Sequence, residues 1–547
     1  MIFNNRIFYC LFYVLLEIIS CQNFHYNSDD WYVLTRPGSI NAMAEDHYNI
    51  YFSTDNGIFK YDKSKEDFEY DYIFSVQSDF HEIHHMIYDN YRDYFWVVHS
   101  KGISYKSSVS SIWKEMSISN SNIFSLYEID DIGFSHEYIW IRSNDQLYPF
   151  DPFTAQLVDW LDAQEDIDFI QWGYSRFGVA GNNLDISSFL IDGDWTVGLN
   201  NITHKDGRSL HPIIFMEDSE GNQWIGTDEG FVLKGWHYSS RLELITLGLP
   251  FDHVTTSYFD LEGNWWFADS QFKRTGSLSL EQAMFQKFND PFISQWKETE
   301  NIWINYTPKE SNIINNTDVN SILRVGSILY FGTMSGLLYL DLFNNDWNII
   351  STIDGLNDDA VWDMIEHDKS IFLATAKGIN EVSIINHVLI PDKDKRFDFL
   401  RKNKIYDMVS DAEFCYMATD EGLFKFNWEE STVTTISQRE FRRINVNDNR
   451  IFGTDGSLWL IKDGLEESHI ASNVHDFDIC GTYAWSSQKN KVTLIDLNTN
   501  WEWEYGKSDG ILGNKIYGIE CDEEWVWFLT NQGVSFYNWG DFHQQKN

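Results

Sequence analysis

The residues most suggestive of chemistry are His81-Glu82-Ile83-His84-His85, which match the H-E-x-x-H pattern of zinc proteases. That chemistry needs a helix, where histidines four apart share one face and one metal ion. Aligning Asp89 with Asp46 sets Ile83 opposite Ile40 and places His84 and His85 on a strand. Strand residues four apart are separated by about 13 Å, too far to share a zinc ion. We therefore expect no metal here, and read these histidines as solvated or loop-capping.

Other signatures lead to the same expectation. No P-loop lysine follows Gly221 to Gly226, and the sequence has no G-x-S-x-G elbow or paired-cysteine zinc site. Asp392-Lys393-Asp394-Lys395-Arg396-Phe397-Asp398 is rich in carboxylates but lacks the turn glycine of a calcium loop, so it reads as a solvated loop. A glycosidase-like carboxylate pair could be assembled from the many acids, but nothing in the sequence shows which ones converge. No cofactor is expected.

The elements that must position any site follow from composition. The 547 residues suit two domains, and 43% apolar with 17% aromatic content supplies large cores. Prolines number only 8 and no long stretch repeats the helical apolar period, so the fold is expected to be all-β. The formal charge of -43, from 83 acidic and 40 basic residues, is spread along the chain. Such a field repels phosphate backbones and anionic membrane surfaces but suits a cationic partner or saline surroundings. Most of these carboxylates are expected only to solvate the surface.

Arg6 followed by the apolar stretch Ile7 to Ile19 reads as an export signal too short to span a bilayer, with Glu17 an awkward intrusion. Ile18-Ile19-Ser20-Cys21 resembles a bacterial lipobox. Residues 1–21 are therefore expected to be a signal peptide or a lipoprotein signal with Cys21 lipidated, and both readings stay open. The membrane would be met only through such an anchor. Cys415, Cys480 and Cys521 remain, an odd number at wide spacing within apolar strand patterns, and are expected to be buried small hydrophobes without a disulfide framework.

The chain is organised by a repeat of roughly 40 residues, the period of a propeller or an array. Its clearest copy is Asp218-Ser219-Glu220-Gly221-Asn222-Gln223-Trp224-Ile225-Gly226-Thr227, and another begins Asp260-Leu261-Glu262-Gly263-Asn264-Trp265-Trp266. An aromatic followed three residues on by Thr and six on by Gly recurs at Tyr51, Trp224, Tyr330, Phe372, Tyr416 and Trp527. Looser copies centre on Trp96, Trp140, Phe177, Trp266, Phe452 and Trp485. Each unit parses into four short strands, A to D, with the aromatic on B as a wedge between neighbouring blades.

These units resemble the two-component-regulator propeller repeat, with its acidic D-x-x-G-N-x-W turn, I-G-T strand and G-[LI]-[FY] strand, from about residue 31 to 540. The resemblance implies paired periplasmic propellers, which in that family commonly belong to hybrid sensor kinases that detect glycans. A β-sandwich, a membrane span and a kinase usually follow; only a few residues follow Trp539 here, so signalling through this chain alone is not expected. The architecture also resembles a stand-alone double-propeller component of type IX secretion machinery.

The expected fold is thus two tandem β-propellers of four-stranded blades, about six each, over residues 31–300 and 301–547. Trp31 to Thr35 is expected to complete the sixth blade and Trp303 to Thr307 the twelfth, unless a further blade hidden between Gly276 and Ile302 makes the first ring seven-bladed. Ligands of propellers meet loops that converge over the axis. Candidate binding residues are Arg208, His211, Asp228, Asp252 and His253 on the first ring, with Asp359, Trp362, Asn514 and Lys515 on the second. Asp252, Asp359 and Asn514 share an offset from strand A, which equally suits the capping of a repeated turn. The chain is expected to be an exported binding or sensing protein, in the periplasm, anchored to the outer membrane or at the cell surface. Its partner would be a glycan or a protein, with no nucleic acid and no catalysis of its own. The alternatives are a polysaccharide hydrolase or lyase with its site in an axial funnel, and a scaffold within an envelope secretion assembly.

Overall fold

The computed structural model describes residues 30–540 apart from 72–82, 109, 111, 117–127, 155, 179–185, 192–193, 206, 237–238, 276–290, 301, 309–317, 392–395 and 463–465. The export segment, Cys21, His81 and Glu82 lie outside the described residues. The described chain forms twelve sheets, almost wholly antiparallel.

The repeat motif explains the blade corners. Asp218 Oδ1 accepts the backbone N–H groups of Glu220 and Asn222 at 3.0 and 2.7 Å, while its Oδ2 accepts the indole N–H of Trp224 at 3.0 Å. Asp260 repeats the arrangement with Glu262, Asn264 and Trp266. The motif's aspartate thus ties the A–B turn to the wedge residue, and its glycine takes the left-handed φ the turn needs, 83° at Gly221. At the B–C turn the hydroxyls of Thr54, Thr333, Thr375, Thr419 and Thr530 each donate to the carbonyl of the glycine three residues on.

Blades 1 to 4 start at strands Ile40–Glu45, Ile83–Asp89, Ile129–Phe134 and Pro212–Glu217. Blades 5 to 11 start at Thr256–Phe259, Val319–Val325, Val361–His367, Ile405–Ser410, Arg443–Asn447, Phe477–Cys480 and Ile516–Cys521. Eleven of the twelve wedge aromatics lie on second strands; Phe177 lies on none and is 48% exposed, so the unit centred on it is not a blade. The twelfth sheet is a small meander, Trp195–Val197, Ile202–His204 and Ser209–Leu210.

Two tandem propellers form as expected, but their blades divide differently. Trp31–Leu34 pairs with Gly533–Asn538 in blade 11 rather than with the sixth unit, Trp31 lying opposite Tyr537. Blade 5 supplies its own outer strands, Ile293–Lys297 and Ile302–Tyr306, so the boundary expected at 300/301 falls inside one sheet. No further blade is hidden between Gly276 and Ile302 among the described residues: the stretch between Ala268 and Ile293 joins the second and third strands of blade 5. Blade 5 packs on blade 6 through Trp266 and Phe331, and on blade 11 through Phe267, Trp265, Trp527 and Phe536. Five further interblade cores complete a closed ring of seven blades. Truncating one such buried aromatic to alanine would cost about 3–5 kcal/mol.

The first group is less regular. Blade 1 packs on blade 4 through Phe52 and Trp224, on blade 2 through Tyr51 and Phe95, and blade 2 on blade 3 through Trp96 and Ile132. The meander packs on blade 4. Gln171–Trp172 then pairs with the inner strand of blade 3, and Tyr174–Ser175 with that of blade 1. The chain therefore crosses the middle of the group, where an axial channel would run. Gly173 permits the crossing: a Cβ there would lie 2.4 Å from Ile87 Cγ2 and 2.9 Å from the Met86 carbonyl oxygen.

Cys480 and Cys521 form a disulfide between the inner strands of blades 10 and 11, correcting the expectation of unpaired cysteines; Cys415 is free and buried. Each cysteine ends the inner strand of its blade, which brings the two together across neighbouring blades.

Candidate functional site

The inner strands of the seven-bladed ring surround an axis lined by charge. In blades 7 and 8 the register with the second strand shifts between Val361 and Asp363 and between Ile405 and Asp407. Such bulges re-aim side chains. Here they put a carboxylate at the same place in consecutive blades. Asp363 accepts the backbone N–H of Met408 at 2.8 Å, and Asp407 that of Ile444 at 2.7 Å. Asp476 and Asp478 accept the N–H groups of Ile519 and Cys521 at 2.8 and 2.9 Å. Each acid thus clamps one inner strand to the next.

A helical turn after the second strand of blade 5, Gln271–Thr275, carries Lys273 to this axis. Its ammonium donates to Thr256 Oγ1 at 3.2 Å and feels the charges of Arg443, Asp476, Glu520 and Asp363, which come from four different blades. Only a group near the axis can be surrounded in this way. Solvent still reaches it, and Arg443, which pairs with Asp476 at 3.3 Å, keeps 32% of its side-chain surface exposed. The axis is therefore a polar channel with more acids than bases.

Burial shifts these groups. Asp269, beside Arg274 at 3.0 Å, is pushed up to about 7 by burial against the pull of that guanidinium. Asp478 is pushed up to about 6 by burial. Asp363 is pushed well above the carboxylate range by burial and then by the Asp407 charge beside it. Burial raises Asp476 and Glu520.

The rim is aromatic and basic. Trp362 and Tyr406, each second in its inner strand, stack at 5.3 Å with planes 9° apart, and the Arg442 guanidinium lies 4.1 Å from the Tyr406 ring centroid. Across the mouth His253 Nδ1 meets the Tyr517 hydroxyl at 3.0 Å, and Lys515 Nζ donates to the Arg274 carbonyl at 3.0 Å.

Four candidates from the sequence, Trp362, His253, Asn514 and Lys515, lie at the ends of this ring's inner strands or in the loops that lead into them; His253, expected on the first ring, is carried to the second by blade 5. Asn514 exchanges hydrogen bonds with Asn531, and Asp359 accepts from the backbone and hydroxyl of Thr352, so both cap turns. His211 and Asp228 pair at 2.8 Å at the edge of blade 4. Arg208 lies over Trp195, and Asp252 pairs with Arg36, which also binds Glu229. These four do not converge on the channel.

Sequence reasoning missed Lys273, Asp363, Asp407, Arg443, Asp476, Asp478 and Glu520. Aligning inner strands residue by residue would have paired Asp363 with Asp407, one position beyond the rim residue Trp362 already chosen. Lys273 left no such signal, since it sits in an insertion.

Asp478, Cys480 and Cys521 are the one group of ligand-type side chains close enough for a metal among the described residues, but the sulfurs are joined to each other and offer no thiolate. His84 and His85 lie on the strand Ile83–Asp89 as expected, but His85 is buried rather than solvated, its Nε2 3.1 Å from the Ile129 carbonyl oxygen of the neighbouring blade. In the acidic loop Asp398 pairs with Arg401, and 392–395 lie outside the described residues.

No family model matches the chain, and no curated protein matches it. Among solved structures it is similar to PorZ, described as an essential bacterial surface component of the type-IX secretion system of Porphyromonas gingivalis. The two are 10% identical with a TM-score of 0.53, over 93% of this chain and 87% of that one. It is also similar to the extracellular domain of BT4673 from B. thetaiotaomicron, described as a one-component system, at 13% identity and TM-score 0.42 over 92% of this chain and 70% of that one. The extracellular domain of BT3049, a hybrid two-component system of the same organism, gives 13% and 0.41 over 90% and 67%. The chain is an all-β tandem propeller, and its repeats resemble the two-component-regulator propeller repeat.

Proposed function

We propose that the chain is an exported binding or sensing module that recognises a glycan or protein partner through the axial channel of its seven-bladed ring. The observation that carries this reading is the channel itself: a solvated, charged passage with a stacked aromatic and basic rim, set in a closed and therefore rigid ring. Pre-organised polar groups in a concave site are what ligand recognition requires. The Cys480–Cys521 disulfide supports export, since such bonds persist in oxidising compartments. The lipid anchor at Cys21 remains part of the proposal.

The neighbouring carboxylates of Asp363 and Asp407, the first pushed upward by burial and by the charge of the second, favour a second reading, acid–base catalysis on a polysaccharide. Against it, both carboxylates already accept backbone N–H groups and so have a structural duty. The test is calorimetry of the purified chain against oligosaccharides and candidate protein partners. Binding that is lost in Lys273→Ala and Trp362→Ala, without loss of thermal stability, supports the proposal. Release of reducing ends from a polysaccharide, abolished by Asp363→Asn, would establish the enzyme reading instead.

A further inference from the structure

Away from the channel, the seam between blades 5 and 11 opens into a cleft of ≈ 530 Å³ walled by aromatic rings. Tyr32, on the closing strand, stacks on Trp296 of blade 5 at 5.5 Å with planes 8° apart. Phe259 lies 4.7 Å from Trp265, and Trp525 and Phe68, the latter from blade 1, complete the wall. Tyr32 and Phe259 are 39% and 49% exposed, well beyond the buried wedges behind them. The polar groups of the wall are two carboxylates, Glu298 and Asp522, and no lysine or arginine lines it among the described residues. Glu298 is held by the Trp265 indole N–H at 3.3 Å, and Asp522 by the backbone N–H groups of Glu524 and Trp525 at 2.8 and 2.7 Å. Lys297, the nearest base in sequence, pairs with Glu300 at 3.9 Å.

Aromatic faces carry negative charge density and attract an ammonium or guanidinium, most strongly Trp and Tyr. Two fixed carboxylates in the same wall add complementary charge, and the formal charge of -43 steers cations toward the molecule. A lone ammonium head would leave most of this volume empty, whereas a lysine- or arginine-bearing segment brings alkyl stems to lie on the rings. From this we infer that the cleft docks a basic peptide segment of a partner protein, one cationic side chain seated between the aromatic wall and Glu298. The inference uses a site separate from the axial channel and stands or falls independently of it.

The test is calorimetry of the full exported chain with a short lysine- and arginine-rich peptide, alongside a neutral peptide and a neutral oligosaccharide. Tyr32→Ala, Phe259→Ala and Glu298→Gln are each expected to weaken the basic peptide about five- to tenfold, as loss of one cation–π or ionic contact would. Glu298→Gln keeps an acceptor for Trp265 and so spares the fold. Asp368→Asn, at an acid of blade 7 whose side chain is 90% exposed, should leave binding unchanged. Equal weakening by Asp368→Asn and Glu298→Gln, or disappearance of all binding in high salt, would show mere charge attraction and overturn the inference. So would no measurable binding of the basic peptide, or preferential binding of the oligosaccharide in a manner sensitive to Tyr32→Ala.

Discussion

In the seven-bladed ring the blades pack all the way round an axis lined by charged side chains; in the first group a strand of the chain itself runs through the centre. The difference lies in what fills the middle. Seven twisted sheets leave an axial space too wide for inner-strand apolar side chains to close, and charged side chains line it. Fewer blades bring the inner strands close enough for Gln171–Ser175 to pair with two of them. The ring is held shut by a non-local strand and a disulfide, whereas among the described residues the first group is held by interblade cores and its central crossing. Recognition through an axis is accordingly expected of the second ring.

The largest test of this contrast concerns the closing strand. A permuted chain beginning at residue 252 with residues 31–35 placed after 540 should fold as a soluble ring, and the same chain without 31–35 should aggregate, because Trp31 and Leu34 would leave an unpaired edge. Size-exclusion chromatography and thermal melts separate the outcomes; equal behaviour would break the closure account.

Next in size is Cys480→Ser with Cys521→Ser, expected to lower the stability of the second ring by about 2–4 kcal/mol while leaving the first group unchanged. Hydrogen exchange resolved by peptide would detect it. Exchange that accelerates equally in both regions would mean that the rings unfold as one unit.

Gly173→Ala should strike the first group alone, by about 1–3 kcal/mol, because its methyl must displace Ile87 or the Met86 backbone. Loosened exchange confined to the peptides around Gln171–Ser175 is the expected signature.

The smallest effect on the whole molecule is the pH dependence, since the two regions move in opposite directions. Burial lowers His85 and His99 of the first group to about 3 from 6.5. Their stability is complete above 6.5 and is lost as pH falls toward 3. Asp269 and Asp478 of the second ring rise from 3.8 to about 7 and about 6. Their contribution is complete below 3.8 and is lost as pH rises through those values. Between 3.8 and 6.5, raising the pH should protect first-group amides and expose second-ring amides once intrinsic exchange is corrected; parallel behaviour would contradict the burial of one set.

Much of the fold was legible because the repeat is a local code. The Asp218 and Asp260 turns, the Thr-x-x-Gly corners and the wedge aromatics each depend on residues within a few positions, so spacing alone reveals them. Phe177 was misread because an aromatic at the right interval says nothing about whether partner strands lie beside it. The candidate site was legible only in part. Trp362 and Lys515 stood out as loop residues, whereas Asp363 and Asp407 were hidden among many acids until their shared bulge position could be seen.

What the sequence determined by itself is the blade: its corners, its wedge and the alternation that buries both faces of its sheet. What only the tertiary structure decided is which blade a strand joins. Trp31–Leu34 and Ile302–Tyr306 carry nearly the same D-strand pattern, yet one completes blade 11 from the far end of the chain and the other completes blade 5. Pairing energy is set by the neighbour a strand meets, not by its own residues, and that neighbour exists only once the ring has closed. The same holds for Cys480 and Cys521, which lie 41 residues apart in sequence. Only the stacking of consecutive blades brings the ends of their two inner strands within bonding reach.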